Sequence, residues 1–141
     1  MEAKKERTNF STRSPWEPLR GYSRAVRVGD HLFISGTTAM GEGGIVVGAG
    51  DAYEQTKYIV TVIKKILAAA NFSIEDVVRT RLFITNMAKW DEYAKAHREA
   101  FENVRPASAI VQVAKLVDPR LLIEMEVDAL KGVTFVQGLG I

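Results

Sequence analysis

The chain has 141 residues, 47% of them hydrophobic and 26% charged, with 19 Lys/Arg against 17 Asp/Glu. That mix describes one folded domain of ordinary composition, large enough to bury a core without crosslinks. Cysteine is absent and histidine occurs only as His31 and His97, which excludes disulfides, thiolate metal sites and thiol nucleophiles and leaves little material for a metal cluster.

Positive charge gathers at the start, where residues 1–29 hold seven Lys/Arg against Glu2, Glu6 and Glu17. A flexible basic arm is expected over residues 1–14, followed by a single domain over 15–141. Basic residues also suit a nucleic-acid surface. Neither an aromatic RNA-binding signature nor a helix-turn-helix pattern accompanies them, so nucleic acid is not an expected partner. The opening MEAKKERTNFSTRS has no apolar run of the secretory kind. The longest apolar runs, such as Ile66 to Ala70, fall far short of the roughly twenty residues of a membrane span. A soluble, cytoplasmic protein is expected, with no membrane contact.

Residues 24–36 read as a β-hairpin, with Arg24–Val28 and His31–Ser35 flanking the turn Gly29-Asp30. Residues 37–50 hold five of the eleven glycines without the order of a phosphate-binding loop. Asp51 and Glu54 have the spacing of a helix N-cap box. Behind them Ile59, Val62, Ile63, Ile66, Leu67 and Ala70 form one apolar stripe, with Asn71 as the stop. Val77 to Thr85 is expected as a strand, with Val78, Thr80, Leu82 and Ile84 on one face and Val77, Arg79, Arg81 and Phe83 on the other. A second helix over about 88–103 would bury Trp90, Tyr93, Ala94, His97 and Phe101. That setting makes His97 a packed histidine, whereas His31 follows a turn and is expected to be exposed.

Pro106 ends this helix, and Ala107 to Ala114 reads as a strand. After Asp118-Pro119, residues 121–130 alternate: Leu121, Ile123, Met125, Val127 and Ala129 on one face, Glu124, Glu126 and Asp128 on the other. The order ββαβαββ predicts one α+β domain, a mixed sheet with two helices on one face. Its second face, with Phe83, Leu122 and Ile110 among the carboxylates and Arg79 and Arg81, is expected to pack against another subunit.

Three stretches together carry a resemblance. Gly21 to Gly36 (GYSRAVRVGDHLFISG), Ser73 to Met87, and the closing pair Arg105 to Val113 (RPASAIVQV) with Leu122 to Val127 (LIEMEV) resemble the RidA/YjgF reactive-intermediate deaminase family, also called the L-PSP endoribonuclease family. The resemblance covers about residues 15–130. It implies a chorismate-mutase-like fold and a homotrimer with small-molecule clefts between subunits. It also implies cofactor-independent hydrolysis of reactive enamines or imines to carbonyl compounds and ammonia. By the same resemblance Glu124 is the catalytic acid/base, and Tyr22 and Gly36 line the cleft. No cofactor or metal is implied.

One position departs from the pattern: Ser108 stands where the family has an arginine that clamps the substrate carboxylate. A serine hydroxyl offers one neutral donor in place of a two-pronged cation, a loss of about 1.5–3 kcal/mol, or roughly 10- to 150-fold in binding. No histidine is set beside Ser108 by the motif, so it is not expected to act as a nucleophile. Arg105 lies an odd three residues away and, on a strand, would face the other side. Arg24, two residues after Tyr22, is the expected source of positive charge, the alternative being an Arg24–Glu126 ion pair. Ser108 and Arg24 therefore join Tyr22 and Gly36 as substrate-binding candidates. The rival functions are a non-catalytic small-ligand or regulatory protein on the same scaffold, and an RNA-directed endoribonuclease or translation-inhibitor activity.

Overall fold

A computed structural model describes residues 1–140. In chain order it contains β1 (Arg7–Phe10), α1 (Trp16–Arg20), β2 (Ala25–Val28), β3 (His31–Thr38), α2 (Ala52–Ala69), β4 (Val77–Ile84), α3 (Trp90–Phe101), β5 (Ala107–Gln112) and β6 (Ile123–Leu130). The strands form one sheet in the order β1-β2-β3-β6-β4-β5. Its pairings are antiparallel except for the parallel pair β4–β5, which α3 connects. The expected ββαβαββ order is thus present in an α+β domain, with β1 and α1 added ahead of it.

Local chemistry accounts for the main elements. Gly29 takes a positive φ of 58° and lets β2 and β3 pair directly, Val28 against His31. Asp51 accepts the Glu54 amide at 2.9 Å and opens α2. Asn71, at φ 68°, turns the chain out behind that helix. Ile59, Ile63, Ile66, Leu67 and Ala70 of the α2 stripe are buried together with Leu32 and Ile34 of β3 and Tyr93 and Phe101 of α3. On β6 the alternation is complete: Ile123, Met125, Val127 and Ala129 are buried and the residues between them are half-buried.

Three expectations change. Four residues of the expected flexible arm, Arg7 to Phe10, are an edge strand paired to Ala25–Val28. The buried Glu17 carboxylate fastens the next turn by accepting from the Thr12 hydroxyl at 2.9 Å and the Thr12 amide at 3.2 Å. With one apolar residue in four, RTNF carries no alternation for a sequence pattern to register. Second, the register between β4 and β6 slips between Val77 and Arg79, so Val77 turns into the core and Val78 is left exposed. Third, Trp90 is the exposed first residue of α3, and Ala96 is buried in place of Ala94.

The fully buried Gln55 ties α2 to the start of β6. Its amide donates to the carbonyls of Arg120 (2.9 Å) and Gly48 (3.2 Å), and its oxygen accepts the Leu122 amide at 2.9 Å. Gln55→Leu leaves these backbone groups without partners, and a loss of about 2–4 kcal/mol is expected in urea unfolding. A loss below about 1 kcal/mol would mean that the approach to β6 is held by something else.

Candidate functional site

The extra residue in β3 builds one end of the open sheet face. Ile34 pairs with Val127 and Thr37 with Met125, so Ser35 and Gly36 form a bulge opposite the single position Glu126. Glu124 lies over Gly36: a β-carbon there would stand 2.8 Å from the Glu124 carboxyl carbon, inside any tolerable contact. Glycine at 36 is therefore a steric condition for the position of Glu124.

Arg24 closes this corner. Its Nη2 donates to the Gly36 carbonyl, while its Nε is buried without a hydrogen-bond partner among the described residues. Tyr22 lies beneath two cations, with the Arg20 guanidinium 4.1 Å and that of Arg24 5.7 Å from its ring centre. Tyr22, Arg24, Gly36 and Glu124 are thus brought together. Arg20 was not foreseen, because its short helix α1 has no periodicity long enough to read. The Arg24–Glu126 alternative is not adopted. Arg81 instead meets Asp128 at 3.1 Å and Glu126 at 3.6 Å, and no ion pair to Glu124 forms among the described residues.

Burial pushes the Glu124 carboxyl above its ordinary value of 4.5. The positive charge of Arg24 opposes the rise, the negative charge of Glu126 adds to it, and Arg20 opposes it again. A carboxyl held in this way can both give and take a proton nearer to neutral pH.

Ser108 lies elsewhere. It pairs with Thr80 of β4, whereas Glu124 pairs with Phe83, an odd number of residues along the same strand. The two side chains consequently leave opposite faces of the sheet. The Ser108 hydroxyl is 2.8 Å from the hydroxyl of the fully buried Thr80, which is 2.8 Å from His97 Nε2. A histidine does therefore connect to Ser108, through a residue between them that the motif does not mark. His97 is half-buried against Phe101, with ring centres 4.7 Å apart, and burial pushes its pKa below 6.5. Its ring lines a hollow of about 330 Å³ together with Arg98, Phe101, Glu102, Arg105 and Pro106. Arg105 precedes β5 and has a φ of 51°, so strand alternation does not set its direction. His31 is exposed, as expected. Among the described residues, no cluster of three His, Asp or Glu is placed to hold a metal ion, and no helix is long and apolar enough to cross a membrane.

A six-stranded mixed sheet backed by two helices, with a half-buried carboxylate over a glycine bulge, defines a small α+β domain. The chain belongs to the Endoribonuclease L-PSP family, which it matches over residues 12–131. It is 39% identical over 119 residues to an uncharacterized protein of Streptomyces coelicolor, covering 84% of this chain and 88% of that one. It is 35% identical over 108 residues to the 3-aminoacrylate deaminase RutC of Acinetobacter baylyi, covering 77% and 85%. Among solved structures, Rv2704 of Mycobacterium tuberculosis, described as a member of the YjgF/YER057c/UK114 family, superposes with a TM-score of 0.80 at 38% identity, covering 89% of this chain and 99% of that one. The resemblance seen in the sequence is therefore to the family the chain belongs to.

The Glu124 carboxyl is expected to titrate above 4.5 in a ¹³C NMR titration, and Arg24→Leu to move it further up. A folded-state pKa above the unfolded one stabilises below the unfolded value and loses that contribution as pH rises through the folded value. Glu124→Gln is thus expected to raise stability at neutral pH, with the gain vanishing below about pH 4.5. A Glu124 titration at or below the free value would contradict the site as described.

Proposed function

We propose that the protein binds a small carbonyl-derived metabolite in a cleft completed between copies of the chain in a homotrimer, and hydrolyses a reactive enamine or imine there. The observation that carries this reading is the Glu124 carboxyl, seated over Gly36 with its pKa raised by burial and with Arg24 beside it. Family membership and the relative named as a 3-aminoacrylate deaminase support the reaction class.

The chemistry needs water and one group that carries protons. An enamine is first protonated at carbon by the Glu124 carboxylic acid, giving an iminium. The resulting carboxylate takes a proton from water as the water oxygen bonds to the iminium carbon. The same carboxyl then protonates the nitrogen of the carbinolamine, and the C–N bond breaks with its electron pair leaving on ammonia. The hydroxyl proton passes back to the Glu124 carboxylate as the carbonyl forms. Enamine plus water thus becomes carbonyl plus ammonia, and Glu124 ends as the acid it began as. Arg24 holds the carbonyl end of the ligand and Tyr22 forms a wall. Ser108 comes from a second copy, because within one chain it faces away from Glu124.

A second reading has its own observation: a neutral hydroxyl tied to Thr80 stands where the family places a guanidinium. On that reading the cleft binds a ligand without turnover. An RNA-directed activity, which the family description names, ranks last, since no aromatic RNA-binding signature accompanies the basic residues of the sequence.

Ammonia release from freshly generated 2-iminobutyrate and from 3-aminoacrylate separates the readings. Wild type is expected to be active, and Glu124→Gln to lose about 100-fold or more. Equal activity in Glu124→Gln would remove Glu124 from the chemistry. An inactive wild type alongside an active Ser108→Arg would mean that the natural protein is not a general deaminase of imino acids; ligand binding without ammonia release in either would favour the second reading.

A further inference from the structure

The three-residue chain Ser108–Thr80–His97 has a property that no single member has. Thr80 carries one hydroxyl proton and sits between two partners, each 2.8 Å away. If His97 Nε2 carries a proton and donates it to Thr80, the Thr80 proton points to Ser108, and the Ser108 proton is free to point outward. If Nε2 is bare, it accepts from Thr80, Thr80 accepts from Ser108, and Ser108 presents only lone pairs outward. The sense of all the bonds reverses together. Thr80 is fully buried, so water cannot interrupt the chain at its middle, and Ser108 is exposed at its outer end. The other ring nitrogen of His97 has no protein partner among the described residues, so both tautomers are open to the imidazole.

We propose that Ser108, with His97 as its positioning residue through Thr80, forms a recognition point for an uncharged carbonyl group, a carboxamide or ester, at the end of the ligand where the family's arginine would take a carboxylate. This rests on the reading that Ser108 lines the ligand cleft. A carbonyl oxygen accepts one hydrogen bond from a neutral hydroxyl without further demand. A carboxylate carries a full charge that one hydroxyl does not balance, so its desolvation is poorly offset. Arg24 is assigned to the other, reacting end of the ligand, and Arg105 is turned back on its own loop, where its Nε donates to the Glu102 carbonyl at 3.2 Å. When a carbonyl accepts from Ser108, the chain is fixed in its outward-donating sense and His97 becomes the Nε2–H tautomer. Burial pushes the His97 pKa below 6.5, so this is a choice between neutral tautomers at neutral pH.

The test uses the full-length protein with two stable ligands that do not turn over, pyruvamide and pyruvate, so its result does not depend on whether the protein is a deaminase. By calorimetry pyruvamide is expected to bind about tenfold or more tightly than pyruvate, and Ser108→Arg to invert that order. Thr80→Val, which keeps the shape and removes the hydroxyl, is expected to weaken pyruvamide about tenfold, while Thr80→Ser restores it. In ¹⁵N spectra of the wild type, pyruvamide is expected to drive the His97 ring to the Nε2–H form, a change lost in Thr80→Val. A Thr80 role in packing alone would leave the ring's tautomer untouched by ligand. This spectral readout also stands on the wild type alone, should Thr80→Val not fold. Pyruvate binding equally or more tightly, no binding of either ligand, or no change of tautomer would each overturn the proposal. Imine hydrolysis with a preference for pyruvate would overturn it while leaving the proposed function intact; the reverse pattern would do the opposite.

Discussion

The strand β6 lies between β3 and β4, hydrogen-bonded on both edges, and cannot rotate or slip without breaking two ladders. Its alternation then decides what each face of the sheet can be. Four apolar side chains, Ile123, Met125, Val127 and Ala129, seal the core against α2 and α3. The same geometry commits Glu124, Glu126 and Asp128 to the opposite face, neighbours about 6.5–7 Å apart and mutually repulsive. Arg81 relieves two of the three. Glu124 is left over the glycine bulge with Arg24 as its nearest moderating charge, and its raised pKa follows from the core-forming pattern on the other side of the strand.

The same alternation separates Glu124 from Ser108. Thr80 and Phe83 of β4 mark the two positions, and an odd step along a strand reverses the face. On the proposed function, a ligand contacting both residues lies where the edge strand β5 of one copy meets the open face of another. That open face also carries the exposed Phe33 and the half-buried Phe83 among its charges, a mixture that covers well and solvates poorly. The separation of Glu124 from Ser108 and the mixed character of the open face are thus consequences of one strand register.

Much of this was legible in the sequence because it depends on short-range periodicity. The α2 stripe, the Gly29 turn, the Asp51 cap and the two faces of β6 each follow from spacing within a few residues. Tyr22, Gly36 and Glu124 were recognisable from the family's motifs, and Arg24 from its even offset to Tyr22. What sequence did not show depends on a bulge, a distant partner or a lone short element. The slip at Val77–Arg79 exchanged Val77 and Val78 between faces. The β1 edge strand exists through its pairing to β2, with little pattern of its own. The Ser108–Thr80–His97 chain joins three elements and obeys no spacing rule. Arg105 was assigned by strand alternation to a place where the strand has not yet begun.

A crystal structure of the assembled protein with a bound carbonyl metabolite tests the central claim most directly. The account predicts one ligand touching Glu124 and Arg24 of one copy and Ser108 of a neighbouring copy. A ligand held at Glu124 with no second copy in contact, or one reaching both Ser108 and Glu124 of a single chain, would contradict it.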